Sequence, residues 1–161
     1  KADSVVCLYD SLNYLLLKKD VESAFQSTSN ALNDGGIFIF DVSTSERYES
    51  YYGSNTFIFD YPELFCSWEN EYDKEKRVCD FYLTLFTKVN GVNELYSRVD
   101  EHQRQRYYSE ETLKKLLDKA GFDVLSVCTD KDVFSYAADS DIPHKLIFTA
   151  KKRISGNQAE D

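Results

Sequence analysis

Glycine is scarce in this chain, and its placement excludes a whole class of sites. The six glycines, Gly35, Gly36, Gly53, Gly91, Gly121 and Gly156, nowhere form GxGxxG or GxGxG after a strand. No loop is therefore available to bring backbone N–H groups against a phosphate. Histidine is limited to His102 and His144, and the four cysteines, Cys7, Cys66, Cys79 and Cys128, form no CxxC pair. That argues against a zinc site. Positive charge is also short: 19 Lys and Arg face 28 Asp and Glu, for a net charge of −9. Such a field repels nucleic-acid phosphate. No apolar run approaches the roughly 20 residues that cross a bilayer, and no signal peptide is visible. Ser11 stands outside any GxSxG elbow, which leaves it without the setting of a hydrolase nucleophile.

What remains is a globular composition. Hydrophobic residues make up 42% and aromatics 15%, mainly 12 Tyr and 11 Phe. A length of 161 residues suits one domain with its own core. Three of the cysteines sit in apolar strand patterns, the setting of reduced core thiols, and this points to a cytoplasmic protein. The chain opens on Lys1 and enters a strand almost at once, as a piece cut from something longer would.

The organising stretch is Ser4 to Asp41. Ser4 to Tyr9 and Ile37 to Val42 are apolar on both alternating faces, as expected of covered parallel strands. Between them Val21, Ala24, Phe25, Thr28, Ala31 and Leu32 recur at helical spacing, with Asp20 placed as the cap and Gly35-Gly36 as the stop. This predicts a βαβ unit, hence an α/β fold. Polar elements, YDSLN and DVSTS, follow the two strands, and ligands of open parallel sheets bind beyond such carboxyl ends.

Further along, Leu12, Leu15 and Leu16 predict a short helix within Asp10 to Leu17, and STSERYESYY reads equally as helix or ordered loop. From Asn55 to Tyr108 the period changes from 3.6 to 2. Cys66, Trp68 and Tyr72 alternate with polar residues, as do Cys79, Phe81, Leu83 and Leu85. DKEK at Asp73 to Lys76 and the Asn90-Gly91 pair supply turns, so a three-stranded antiparallel meander ending near Tyr107 is expected. Ser109 then caps a helix with Leu113, Leu116, Leu117 and Ala120 as its stripe and Gly121 as its stop. Asp123 to Cys128 and Lys145 to Lys151 read as two final strands.

Together VVCLYDSLNYL, ALNDGGIFIFDVST, DEHQRQRYYSEETLKKLLDKAGFDVLSV and HKLIFTAKK resemble the class I S-adenosylmethionine-dependent methyltransferases, in particular a small bacterial group with an antiparallel insertion. The resemblance runs from about Asp3 to Lys152. It implies a partial Rossmann-like methyltransferase sheet, with strands in the order four, five, seven, six, and an antiparallel β-meander insertion. Residues 1–44 would form the βαβ portion, 45–108 the insertion acting as lid and substrate region, 109–152 the last helix and hairpin, and 153–161 a flexible tail. The family's glycine-rich first turn and the ribose-binding acid after its second strand have no counterpart here. The chain thus resembles about the carboxy-terminal three-fifths of such an enzyme, and Asp41 matches the fifth strand rather than the ribose acid. Ser4 to Tyr9 would be left as an open edge, to be covered by the missing amino-terminal half, by a second copy in a homodimer, or by a rearranged fold.

By the same resemblance Leu8, Tyr9, Asp10, Ser11 and Tyr14 face the methionine and sulfonium end of S-adenosylmethionine, where a tyrosine ring attracts the cation. A plain capped turn is the other reading of this segment. His102, Arg104 and Arg106 share one face of a strand, opposite Glu101. They read either as a pocket wall, with His102 as general base and the arginines on an anionic substrate group, or as a solvated face. Tyr48, Tyr52 and Trp68 read either as a substrate pocket or as the seam between two layers. The expectation is methyl transfer to a small molecule, without metal, nucleic acid or membrane. The alternative is a cofactor-free, non-catalytic module that assembles through its edge strand.

Overall fold

The computed structural model describes residues 1–89, 95–133 and 143–154. Its elements are β1 (Ala2–Cys7), a 3₁₀ turn (Ser11–Tyr14), α1 (Lys18–Ala31), β2 (Leu32–Ser43), a π-helical turn (Arg47–Tyr52), β3 (Thr56–Tyr61), β4 (Leu64–Asp73), β5 (Val78–Lys88), β6 (Tyr96–Arg106), α2 (Glu110–Lys119), β7 (Phe122–Thr129), α3 (Asp130–Val133) and β8 (Lys145–Lys152). They build two four-stranded sheets, β1-β2-β8-β7 and β3-β4-β5-β6. In the first, β1 runs parallel to β2 while β8 is antiparallel to both its neighbours. This is the expected order, four, five, seven, six.

One face of that sheet is dry. Val21 and Phe25 on α1, and Leu113, Leu116 and Leu117 on α2, pack with Phe38, Phe40, Val42, Phe122 and Phe148 in a single cluster. The register sets Phe40 opposite Phe148, and their rings stack at 4.8 Å. Phe38 lies opposite Ala150, a small partner, and its ring meets Phe25 edge-on at 5.8 Å. Burying such side chains stabilises by about 1.5–3 kcal/mol each. The other face is open among the described residues: Val6 is 56% exposed, and Ile37, Ile39 and Ile147 are only half-buried.

Two local expectations at α1 are corrected. The helix starts at Lys18 with no side-chain cap, so Asp20 lies inside the first turn, where its charge suits the positive helix end. The helix also stops at Ala31, before the Gly-Gly pair, and the chain enters β2 directly at Leu32. Gly35 and Gly36 serve a bulge instead. Between the pairs Ala2↔Leu32 and Ser4↔Ile37, β1 advances two residues and β2 five. Gly35 takes φ +78°, and a Cβ on Gly36 would lie 2.9 Å from the Asn33 carbonyl oxygen and 3.2 Å from that of Asp3. No side chain fits there.

The insertion has four strands, not three, because FIFDYPELF is two strands folded at Pro62 and Glu63. The expected Asn90-Gly91 turn and the tail beyond Ile154 lie outside the described residues. STSERYESYY resolves as a π-helical turn, closed by the Gly53 N–H donating to the Tyr48 carbonyl five residues back at 2.8 Å. Tyr48 and Tyr52 pack from it onto Cys79 and Phe81, with Trp68 and Tyr72 at the margin. Tyr48 stacks on Tyr72 at 5.5 Å and donates its hydroxyl to Gln105 Oε1 at 2.9 Å. These aromatics are the seam between insertion and core.

Burial weakens the acids of this seam by disfavouring their charged forms. The Tyr48 phenol is pushed well above its usual range, Tyr52 is also raised, and Tyr72 and Cys79 are each pushed up to about 12. Their folded pKa values lie above the unfolded ones, so the folded state holds these protons more tightly. Stability is intact below the unfolded values near pH 9 for the thiol and 10 for the phenols, and falls as pH rises toward 12. The urea midpoint is expected to be lower at pH 10.5 than at pH 8. An unchanged midpoint would mean that the seam is already wet.

Candidate active site

The carboxyl ends of β1 and β2 lie side by side, and β8 begins where β2 ends, with Lys145 opposite Ser43. That arrangement assembles a buried charge cluster from three distant parts of the chain. After β1 the backbone turns through Tyr9 and Asp10 with φ of 60° and 57°. Two successive left-handed residues that are not glycine cost about 1–2 kcal/mol each. The Asp10 N–H donates to Asp41 Oδ1 at 3.2 Å. The Asp10 carboxylate lies 3.1 Å from Arg47 Nη1 and 3.0 Å from Lys145 Nζ, and Lys145 Nζ also lies 2.5 Å from Asp41 Oδ2. Two buried acids and two cations thus balance, as buried charge must.

The cluster fixes the turn and leaves Tyr9 outside it. Tyr9 is 84% exposed, and the Lys145 ammonium lies 5.4 Å from the centre of its ring. Leu8 and Tyr14 are also exposed, whereas Ser11 donates its hydroxyl to the Leu8 carbonyl at 2.6 Å. Asn13 is fully buried and joins the layers: its Oδ1 accepts from the Ser43 N–H at 3.1 Å and its Nδ2 donates to the Arg106 carbonyl at 2.8 Å. Tyr14 donates to Gln103 Oε1 at 3.1 Å. The insertion is tied to this end of the sheet by these bonds and by Tyr48 to Gln105.

Of the expected residues, Leu8, Tyr9, Asp10, Ser11 and Tyr14 lie together on this turn, with Asp10 wholly engaged in ion pairs. Tyr48, Tyr52 and Trp68 come together in the seam behind it, Arg47 lying 5.0 Å over the Tyr52 ring. His102 is not brought there. Gln103 and Gln105 point to the turn and the seam, so His102 and Arg104 point to the far side of β6. His102 Nε2 lies 2.6 Å from Asp80 Oδ1 and its ring stacks on Tyr82 at 4.6 Å. Arg106 donates to the Leu16 carbonyl at 3.1 Å. His144, for which the sequence suggests no role, lies 4.8 Å from the Tyr51 ring, and its imidazole pKa is lowered by burial and by the nearby Arg47. Arg47, Asp41 and Lys145 are the members that sequence reasoning missed. The available signal was an acid after each of two adjacent parallel strands, which requires cations nearby.

Residues 4–127 match the family model of the methyltransferase domain. The chain belongs to this family. It is 31% identical over 150 residues to a Geobacillus sp. (strain WCH70) protein designated a methyltransferase, covering 93% of this chain and 59% of that protein. YqeM of Bacillus subtilis (strain 168), likewise designated, gives 31% identity, 93% and 58%. Among solved structures, an S-adenosylmethionine-dependent methyltransferase from Clostridium acetobutylicum superposes with TM-score 0.79 at 28% identity, covering 95% of this chain and 59% of that one. CalS10, an amino pentose methyltransferase from Micromonospora echinaspora, shares the fold alone, at TM-score 0.65 and 14% identity over 93% of this chain and 58% of its own. The chain therefore spans about three-fifths of the length of these methyltransferases. Among the described residues no group of His, Cys, Asp or Glu is placed to hold a metal, and no helix is long and apolar enough to cross a membrane.

The fit to S-adenosylmethionine is one-sided. Leu8, Tyr9 and Tyr14 stand exposed beside a charge-balanced cluster and are the residues of this turn that could hold one end of that molecule. Neither the family's glycine-rich turn nor the acid after its second strand has a counterpart among the described residues.

Proposed function

We propose that this chain is the carboxy-terminal part of an S-adenosylmethionine-dependent methyltransferase acting on a small molecule, in a reducing cytoplasmic setting that suits its four free thiols. One observation carries the reading: the left-handed turn of Tyr9 and Asp10, locked by Lys145 and Arg47, stands at the carboxyl end of β1 in a chain of the methyltransferase family. When bound, the cofactor supplies an electrophilic methyl group. The chain's own residues position and shield. Tyr9 offers a ring to a cationic centre. Asp10 and Asp41, held by Lys145 and Arg47, are poor nucleophiles and so do not compete with the acceptor. The insertion, tied through Asn13 and Tyr14, limits water and orients the acceptor. Catalysis here is placement. The far-side position of His102 favours no general-base role for it.

The open face around Val6 and the edge of β1 would be covered by the amino-terminal half of the enzyme. The same open edge supports the second reading, a cofactor-free module that assembles through β1. Calorimetric titration with S-adenosylmethionine and its demethylated product separates the two. Saturable binding, weakened about 2- to 30-fold by Tyr9→Ala, is the expected result, as loss of a cation–π contact worth about 0.5–2 kcal/mol would give. Absence of binding, by the folded chain and by the chain joined to an amino-terminal half, would leave the module reading.

A further inference from the structure

The cations of this acidic protein are mostly committed: Arg47, Lys145, Lys152 and Arg153 all sit on carboxylates. Three are not. Among the described residues Lys18, Arg77 and Arg106 have no ion-pair partner, and all three line one concave pocket of about 260 Å³. They reach it from three elements: the first residue of α1, the turn between β4 and β5, and the end of β6. Tyr107, Ser109 and Thr112 complete the polar lining, and no carboxylate belongs to it. Asp20, near enough to raise the Tyr108 phenol, lies outside that lining.

Two of the cations are held in place. Arg106 is anchored by its bond to the Leu16 carbonyl, and the Arg77 guanidinium lies 5.9 Å over the Tyr107 ring. The Arg77 backbone is itself fixed in a left-handed turn, φ 56°, by its carbonyl accepting the Tyr107 N–H at 2.9 Å. Gathering three like charges raises the energy of the empty pocket, and a bound anion reverses that cost. Guanidinium groups present paired N–H donors that match the oxygens of phosphate.

We propose that this pocket binds a dianionic phosphate group, either inorganic phosphate or a small phosphomonoester. The inference is independent of methyl transfer, since it uses neither the Tyr9 turn nor the buried charge cluster. Nuclear magnetic resonance titration of the 161-residue chain with inorganic phosphate, against chloride at equal ionic strength, is the test. The Arg77 and Arg106 Nε–H signals and the Ser109 and Thr112 amides are expected to shift saturably with phosphate alone. Arg106→Gln and, on the exposed turn, Arg77→Gln should each weaken binding about 10-fold, and Lys18→Gln about 3-fold. An unchanged amide spectrum elsewhere certifies that each variant is folded. Repeating the titration with glycerol 1-phosphate distinguishes the sources: tighter binding than inorganic phosphate assigns a phosphomonoester, and weaker binding assigns the free ion. Equal shifts with chloride, shifts spread over unrelated lysines, or variants that bind as well as the parent would overturn the proposal.

Discussion

Replacing Lys145 with methionine is expected to destabilise the protein by about 3–5 kcal/mol, because it leaves a buried carboxylate uncompensated. Methionine keeps much of the length and packing of the stem but removes the ammonium that bridges Asp10 and Asp41. Asp10 still has Arg47. Asp41, almost fully buried, keeps only the Asp10 N–H. The four-charge cluster passes from neutral to −1 in a place that water barely reaches. For a chain of this size the loss corresponds to a fall in Tm of about 10 °C. The diagnostic is the double variant: Asp41→Asn placed in the Lys145→Met background removes the stranded charge and should recover most of the stability. A single-variant loss below about 1 kcal/mol would mean that the cluster is screened like a surface pair. The consequence reaches the site directly, since the same cluster holds Tyr9 and Asp10 in left-handed backbone. Loosening it should release Tyr9 from its place beside β1 and weaken cofactor binding by the assembled enzyme.

How much of this was legible follows from the range of the forces involved. The stripe of α2, its Ser109 cap and its Gly121 stop are local and were readable as such. The sheet order followed from family likeness and not from periodicity, which cannot order strands. The face of β6 could not be assigned from the sequence. A period of 2 correctly separates His102, Arg104 and Arg106 from their neighbours, but it does not say which set points inward. The inward set is polar, Gln103 and Gln105, because the hydroxyls of Tyr14 and Tyr48 meet it across the seam. Those partners lie 89 and 57 residues away. The charge cluster was hidden for the same reason: Lys145 meets Asp41 across 104 residues. Even the Gly-Gly pair, a plausible helix stop by local rules, serves a bulge in which Gly36 is crowded by the Asn33 carbonyl of its own strand and by the Asp3 carbonyl of β1.

Asn13 should be the most sensitive single link between the two layers. It is fully buried, and each end of its amide satisfies a backbone group from a different sheet: the Ser43 N–H at the end of β2 and the Arg106 carbonyl at the end of β6. Asn13→Ala strands both groups, each at about 1–3 kcal/mol, and opens a small void, so a loss of about 3 kcal/mol is expected. Asn13→Asp separates the two bonds, because a carboxylate still accepts from Ser43 but has no donor for Arg106 and sets two oxygens against each other. It should be at least as damaging as alanine despite its nearly equal volume. Amide exchange then locates the effect. If Asn13 couples the layers, exchange accelerates both at Ser43 and along Gln103 to Arg106. Acceleration confined to Ser43 would assign the joint to the tyrosine seam alone, and the insertion would then keep its place over the strand ends without the turn that presents Tyr9.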